Sequence, residues 1–323
     1  MTLTKLASLT NVSVSTVSKA LSDSHEISDA TKEMIFKIAK EQGCFEKYYK
    51  PKYSKKAIAV ICPEILGIHY TQMATSIENE IAVHGGTMIL GVSNFSHKTQ
   101  NELIEYYTKF IHVDGIIVIE PQGAIKNETD TPIVEIGLES ETKDADCVRV
   151  DIFPAMIEAL SLLTHFGHTR IGFIGEKLAV SEYGYFKQAM KSRMLAYRES
   201  DVVISDKRFY DAGYFAMDEM LKQKDLPTVI FAAYSHIASG ILERLKEEKM
   251  SVPDDISLIC MDDITSVPYS DINLSCIKMH LEDLCTIAAD LLFQKIEKNY
   301  IKTKQTITVT RKFTKRDSIK NLI

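Results

Sequence analysis

The spacing of apolar residues at the start of the chain predicts two short helices joined by a tight turn. In the run L-T-K-L-A-S-L-T-N-V-S-V-S-T-V-S-K-A-L, residues 3–21, apolar side chains first recur three or four positions apart. This spacing is typical of a helix with one buried face. Thr10-Asn11 interrupts the pattern, and asparagine tolerates the left-handed backbone of a tight turn. A second buried stripe follows, made of Val17, Ala20 and Leu21.

The polar residues of this run favour a helix that contacts DNA. Thr2 is placed to cap the first helix and Ser13 to cap the second. Lys19 and short side chains lie on the outer side of the second helix, where they could approach base edges in a major groove. The alternative is that the serines only cap helices, since paired short helices are common. The short outer residues are Val14, Ser15, Thr16 and Ser18.

These residues resemble the DNA-binding headpiece of the lactose-repressor (LacI/GalR) family. The family pattern is roughly T-[IL]-x-x-[VL]-A-x-x-[AT]-G-V-S-x-x-T-V-S-[RK]-x-L. Asn11 replaces the usual turn glycine, and the match otherwise runs without gaps through Thr2-Leu3, Leu6-Ala7, Val12-Ser13, Thr16-Val17-Ser18-Lys19 and Leu21. The resemblance implies an all-α helix-turn-helix headpiece over residues 1–44, which would contact DNA through Thr2, Ser13, Val14, Ser15, Thr16, Ser18 and Lys19.

A third helix is predicted from Asp29 to Glu41, with Gly43 ending it. The sequence I-S-D-A-T-K-E resembles the family's V-S-x-x-T-R-x, in which the helix start and the basic residue hold phosphates. That resemblance implies DNA contacts from Ser28 and Lys32, although Lys32 could also be an ordinary surface lysine. The inward residues of this helix are predicted to be Ala30, Met34, Ile35, Ile38 and Ala39.

Residues 45–56, F-E-K-Y-Y-K-P-K-Y-S-K-K, are predicted to be a basic linker, because lysines and a proline make a poor core segment. In most of the family this stretch forms a hinge helix with an A-R-x-L sequence, whose leucine is wedged into the minor groove. No A-R-x-L follows Pro51 here. We therefore expect mainly phosphate contacts, with Tyr53 as the candidate wedge and with lysines Lys50, Lys52 and Lys55.

The distribution of charge agrees with DNA contact at the N-terminal end. Residues 1–56 hold ten lysines and six acidic residues, a net charge of +4. The remaining residues hold 28 basic and 38 acidic residues, a net charge of −10. A basic end on an acidic body predicts that the polyanion contact lies at the N-terminus.

From residue 57 the pattern alternates between strand-like and helix-like runs, which predicts parallel α/β units. Two such sheets would share a ligand cleft at the carboxyl ends of their strands. The predicted strands are 57–62, 87–92, 115–119, 133–136, 148–150, 170–174, 229–232, 257–261 and 306–313. The predicted helices are 72–84, 99–110, 153–166, 182–197, 212–222, 236–248 and 281–295.

This body also resembles the lactose-repressor family and, through it, the periplasmic sugar-binding proteins. The resemblance implies that 57–323 is a periplasmic-binding-protein-like effector and dimerisation core of two doubly wound parallel-sheet subdomains. Matching stretches include F-G-H-T-R-I-G-F-I-G at 166–175 and V-P-D-D-I-S-L-I-C-M-D-D-I at 252–264.

The resemblance also implies a set of effector-binding positions. Two of them depart from the family: Ser181 stands where an arginine is common, and Tyr234-Ser235 replace the usual Asn-Asp. Tyrosines could stack on a sugar face in a chain without tryptophan. Ordinary packing is the alternative for each tyrosine. The implied effector positions are Ile68, Tyr70, Ser93, Asn94, Glu120, Ser181, Tyr183, Tyr234, Ser235 and Asp262.

Other chemistry finds little support in the sequence. His165-x-x-His168 has helical spacing but no third ligand, so no metal site is expected. No phosphate-binding loop, nucleophile elbow or G-x-G-x-x-G occurs, so we expect no catalytic residue and no cofactor. The six cysteines form no C-x-x-C pair and are expected to be buried free thiols. No apolar run approaches a membrane span, and the chain opens directly into the helix-turn-helix, so we expect that it is not exported.

The sequence thus predicts a cytoplasmic transcription regulator, most simply a repressor. It would bind a pseudo-palindromic operator as a homodimer, under the control of a small molecule that the resemblance suggests is a sugar. Because two cleft positions differ, a regulator controlled by a protein partner, or one without a ligand, is an open alternative. A plain solute-binding protein is the alternative from another class, and the headpiece argues against it.

Overall fold

The computed structural model describes residues 1–49, 55–138, 141–142, 145–262, 272–297 and 303–323. It divides into two compact units, which we call the small unit, Met1–Lys56, and the large unit, Ala57–Ile323. The predicted headpiece and linker both fall within the small unit. Each unit is described by itself.

The described residues of the small unit form four helices around one apolar cluster. Asn11 ends the first helix with φ 53° and ψ 36°, as expected for the turn of a helix-turn-helix. Leu6, Val17 and Ile35 have no exposed surface and form the centre of the cluster. The helices are α1 (Leu3–Thr10), α2 (Val14–Leu21), α3 (Asp29–Glu41) and α4 (Phe45–Tyr48).

Two expectations for the small unit are corrected. Ala30 and Met34 are exposed and do not face inward as predicted, since the side of α3 that packs on the core is the one carrying Ile35 and Ala39. The start of the predicted linker is also not free of the core. Phe45 forms part of α4, and its ring stacks on Tyr49 and meets Phe36 edge-on. The apolar area of these rings favours packing on α3 over exposure.

The large unit contains two six-stranded sheets of the same winding. In the first sheet the strand order is β11-β5-β4-β3-β1-β2, and in the second it is β12-β10-β9-β8-β6-β7. The first-sheet strands are β1 (Lys56–Cys62), β2 (Gly86–Val92), β3 (Gly115–Ile119), β4 (Ile133–Gly137), β5 (Asp146–Asp151) and β11 (Thr306–Thr310). The second-sheet strands are β6 (Ile171–Glu176), β7 (Val202–Ser205), β8 (Val229–Ala232), β9 (Ser257–Cys260), β10 (Ser275–Lys278) and β12 (Lys312–Thr314).

Helices connect these strands. A π-helical turn, Tyr106–Ile111, continues α6, where the sequence pattern predicts one uninterrupted helix. We call each sheet with its connecting helices a lobe. The helices are α5 (Ile68–Val83), α6 (His97–Glu105), α7 (Phe153–His165), α8 (Val180–Ser192), α9 (Phe209–Leu221), α10 (Ser235–Glu247) and α11 (Leu281–Ile296).

The predicted fold class is confirmed, with two differences in the strands. The single predicted strand over 306–313 is two strands, β11 in the first sheet and β12 in the second, with Arg311 between them. β12 pairs antiparallel with β10, whereas β6, β8, β9 and β10 pair in parallel. Two further four-residue strands, β7 and β10, are not among the predicted strands.

Separate apolar cores support the lobes. Ile58, Val60 and Ile117 are fully buried in the first lobe, and Phe173, Phe186 and Phe231 in the second. The six cysteines are all buried and free, as the sequence predicts. Within the described ranges, no helix is long and apolar enough to cross a membrane.

Candidate nucleic-acid interface and ligand cleft

The outer side of α2 presents the residues that the sequence assigns to DNA contact. The Ser13 hydroxyl caps the helix by accepting a hydrogen bond from the Thr16 amide at 3.0 Å. Val14, Ser15 and Ser18 are exposed, although Val14 is apolar and a soluble protein more often buries it. Thr2 caps α1 in the same way, through the Lys5 amide. The surface is small, polar and close to the backbone, as a helix that enters a groove requires.

Two of the lysines assigned to DNA contact, Lys19 and Lys32, are held by acidic neighbours. Lys19 is paired with Glu26, and its side chain is still 46% exposed. Lys32 is paired with Asp23 at 2.7 Å and also donates to the Asp23 carbonyl oxygen, which leaves its side chain 12% exposed. Lys19 is thus available at the surface, while Lys32 also braces the loop between α2 and α3.

The remaining positions assigned to DNA contact are only partly described. Ser28 caps α3 by accepting from the Thr31 amide, and Lys55 is exposed. Lys50, Lys52 and Tyr53 lie outside the described residues.

The large unit contains a cavity of about 550 Å³ between its two lobes, which we call the cleft. It lies at the strand ends that the winding predicts. In each sheet the winding changes direction between its first and third strands, at β1 and β3 and at β6 and β8. The loops that follow these four strands all line the cleft, beginning at Glu64, Glu120, Lys177 and Ala233. Open α/β sheets bind ligands at this position.

Three residues of the cleft have a strained backbone. Phe95, Glu120 and Phe209 have φ between 45° and 56°, a region that side chains other than glycine seldom adopt. Such strain costs about 1–3 kcal/mol per residue and is concentrated at functional sites. The Arg208 guanidinium lies 5.7 Å from the centroid of the Phe95 ring and 4.3 Å from that of the Phe209 ring.

Arg208 joins the two lobes across the cleft. Its guanidinium donates two hydrogen bonds to Glu64 of the first lobe, at 2.6 and 2.9 Å. It donates a third to Glu176 of the second lobe, at 3.2 Å. The hydrogen bond to Glu64 raises the pKa of Arg208 further above its ordinary value, against the opposing effect of burial. Two carboxylates therefore share one cation.

A second set of interacting polar side chains, Tyr70, His69 and Glu120, lies on the first-lobe side of the cleft. The Tyr70 hydroxyl donates to Glu120, and the His69 ring nitrogen lies 3.6 Å from the other Glu120 oxygen. Burial lowers the pKa of His69, but the hydrogen bond to Glu120 and the charge of Asp262 outweigh it, so the pKa is raised. Burial likewise raises the pKa of Glu120, and the bonds from His69 and Tyr70 reverse this, so the pKa is lowered. Glu120 is thus held as a carboxylate.

Glu182, on the first turn of α8, differs from Glu120 because its pKa is raised and not lowered. Burial and the nearby charge of Glu120 raise its pKa to about 7. Arg311 lies in the same region and is 7% exposed. It donates to the Met261 carbonyl oxygen at 2.9 Å, but its Nε has no partner among the described residues.

Seven of the ten predicted effector residues line the cleft: Ile68, Tyr70, Glu120, Ser181, Tyr234, Ser235 and Asp262. The other three do not. Ser93 is buried with its hydroxyl bonded to the Cys62 carbonyl oxygen, and Asn94 takes a left-handed turn beside it. Tyr183 packs on Phe173 in the second-lobe core. Whether the seven contact an effector remains a prediction.

Several cleft residues had no signal in the sequence. Arg208 and Glu64 are separated by 144 positions, so no local pattern joins them. Arg311 and Lys312 interrupt a strand-like run, and that break in polarity was the available clue. Glu182 is next to the predicted Ser181, and His69 is next to the predicted Tyr70.

His165 and His168 do not belong to any group of side chains that could coordinate a metal ion in the described part of the chain. Both ring nitrogens of His168 are engaged, one with the Thr228 hydroxyl at 2.8 Å and the other with the Lys320 carbonyl oxygen at 2.9 Å. Over the described part of the chain, no group of three His, Cys, Asp or Glu side chains could hold a metal ion.

A helix-turn-helix unit and a two-lobed unit with a cleft define the class of protein, and each unit matches a known family of domains. Residues 2–44 match the bacterial regulatory proteins of the lacI family, and residues 160–319 match the periplasmic binding protein-like domain. The chain thus combines a lacI-family helix-turn-helix domain with a periplasmic binding protein-like domain.

Named relatives match over nearly the whole chain. Catabolite control protein A of Priestia megaterium is 24% identical over 320 residues, covering 93% of this chain and 94% of that protein. The HTH-type transcriptional repressor CytR of Escherichia coli strain K12 is 25% identical over 314 residues, covering 93% and 91%. Among solved structures, the transcriptional regulator CelR–cellobiose complex matches with a TM-score of 0.67 at 21% identity, covering 98% of this chain and 99% of that one. This last likeness shows the fold alone.

Proposed function

We propose that this chain is a DNA-binding transcriptional regulator, most simply a repressor, whose DNA affinity is controlled by a small molecule in the cleft. The observation that carries the proposal is the capped, exposed start of α2 on a unit that matches the lacI family. The charge of +4 on residues 1–56 supports contact with phosphates. The regulator would act in the cytoplasm.

The chain would bind DNA as a homodimer. One α2 start reaches only a few base pairs, and helix-turn-helix proteins double their reading length by pairing two half-sites. The site would therefore be an inverted repeat. A ligand that prefers one arrangement of the two lobes would shift the population of that arrangement and so the DNA affinity.

The cleft is suited to a hydroxylated ligand. Its volume lies within the range of small-molecule sites. Aromatic rings from both lobes, including Tyr70, Phe95 and Tyr234, can pack on a sugar face while carboxylates accept its hydroxyl hydrogens. The relative crystallised with cellobiose supports a sugar as the ligand class.

Selection of binding sites from random double-stranded DNA tests the DNA part of the proposal. The full chain should enrich an inverted repeat. Ser15→Glu places a carboxylate on the exposed side of α2, where it would repel phosphates, and it should abolish enrichment. Ser200→Glu makes the same charge change at an exposed site of the large unit and should leave enrichment intact. No enrichment by the unmodified chain would overturn the proposal.

A further inference from the structure

The described lining of the cleft carries more negative than positive charge. Six carboxylates line it, against three side chains with a permanent positive charge. The carboxylates are Glu64, Glu120, Glu141, Glu176, Glu182 and Asp262, and the cations are Lys177, Arg208 and Arg311.

Two of the three cations, Arg208 and Lys177, are already paired and do not neutralise the carboxylates at the centre of the cleft. Arg208 is shared by Glu64 and Glu176. Lys177 is paired with Asp206, which is not part of the lining, and both side chains are more than 70% exposed. Arg311 and the His69 ring then remain near Glu120 and Glu182.

Glu182 has no salt bridge to a cation anywhere in the described residues, although Glu120 is near enough to repel it. Arg311 and His69 lie near both carboxylates, but neither forms a salt bridge with Glu182, and the low local dielectric of a partly dry site strengthens the repulsion between Glu120 and Glu182. A bound cation would remove this repulsion. A protonated amine does so while donating up to three hydrogen bonds.

Arg311 gives a second, independent reason to expect a bound molecule, one that carries an oxygen acceptor. Its Nε is buried and without an acceptor in the described part of the chain, and an orphaned charged donor is costly. A hydroxyl or ring oxygen of a bound molecule would satisfy it. The ligand that meets both requirements carries an amine and hydroxyl groups on one small framework.

We propose that the effector is an amino sugar, with its protonated amine seated between Glu120 and Glu182 and an oxygen accepting from Arg311. This rests on the proposed function, in that it takes the cleft to be the effector site. Neutral sugars would satisfy the aromatic rings but leave the carboxylates unbalanced, so the amine would set the specificity.

Titration calorimetry with the full chain and matched sugars tests the proposal. The pairs are glucosamine and glucose, galactosamine and galactose, and mannosamine and mannose, with N-acetylglucosamine as the form whose amine is no longer charged. At least one amino sugar should bind ten or more times tighter than its neutral parent. A neutral parent that binds as tightly, or an absence of binding by all three amino sugars, would overturn it. DNA enrichment is measured separately, so it would survive that failure.

A charge-removing variant tests the role of Glu182. Glu182→Gln keeps the size of the side chain and should weaken the amino sugar at least tenfold, while changing the neutral parent less than threefold. Glu78→Gln, at an exposed position of α5 that does not line the cleft, is the control and should change neither. Equal losses for the amino sugar and its parent would show that Glu182 only shapes the cleft, and would overturn the assignment.

Discussion

Arg208 and Glu64 form a two-bond ion pair that joins the lobes of the large unit, with nitrogen–oxygen distances of 2.6 and 2.9 Å. Paired hydrogen bonds between a planar guanidinium and a carboxylate fix orientation as well as distance. Glu64 is nearly buried, whereas the Arg208 side chain is one-third exposed. The pair therefore holds one relative arrangement of the lobes at a site that a ligand can reach.

Removing this charge should loosen the lobes. Glu64→Gln leaves Arg208 with Glu176 alone and should lower the free energy of unfolding by about 1–3 kcal/mol. Hydrogen exchange should also quicken in peptides covering 64–70 and 205–210. The control is Glu102→Gln, which breaks an exposed pair with Lys98 and should cost less than about 0.5 kcal/mol. Equal small effects from both would show that the Arg208 pair does not hold the lobes.

Two lysines of the small unit should differ in how they affect DNA binding. Lys19→Ala should cost about 1–3 kcal/mol on the enriched site and relax the base preference near it, whereas Lys32→Ala should weaken all sequences alike. The reason is position: Lys19 extends from α2 and is half-exposed, while Lys32 braces the Asp23 loop. Lys37→Ala, on an exposed part of α3, serves as the control. Sequence-blind losses for both variants would exclude Lys19 from base contact.

Glu182 should make the stability of the large unit depend on pH. Its pKa of about 7 lies above the ordinary value of 4.5, with Glu120, Arg311 and His69 as its charged neighbours. Between these pH values the folded chain keeps a proton that the unfolded chain has released, so stability falls as pH rises. Glutamine does not titrate in this range, so Glu182→Gln should abolish this part of the loss of stability. Its melting temperature should fall less between pH 5 and pH 8, by about 2–4 °C for each 1 kcal/mol recovered. Parallel curves for the two proteins would contradict the prediction.

The sequence predicted those features that depend on neighbours in the chain. Caps such as Ser13 and Ser28, the turn at Asn11 and the strand–helix alternation all rest on spacing over a few residues. The position of the cleft followed as well, because the winding order places the ligand site at known strand ends.

The features that the sequence did not predict depend on the direction in which a side chain points from its helix and on contacts between residues far apart in the chain. Ser181 and Tyr183 are two positions apart on α8, so their side chains point about 200° apart around the helix. One therefore lines the cleft while the other packs on Phe173. The Arg208–Glu64 pair could not be inferred either, since its partners meet only after both lobes have folded.

The turn between α1 and α2 offers a test of why asparagine can stand at position 11. Its left-handed backbone costs an ordinary side chain about 1–2 kcal/mol, while glycine adopts it freely. Asn11→Ala should therefore destabilise the small unit by about 1 kcal/mol, and Asn11→Gly should change it by no more than about 0.5 kcal/mol. Hydrogen exchange at the Val12 amide, which donates to the Ala7 carbonyl oxygen at 3.2 Å, would report the difference in the full chain. About fivefold faster exchange is expected in the alanine variant only. Equal exchange in both variants would mean that the turn is held by its neighbours and not by the conformational freedom of residue 11.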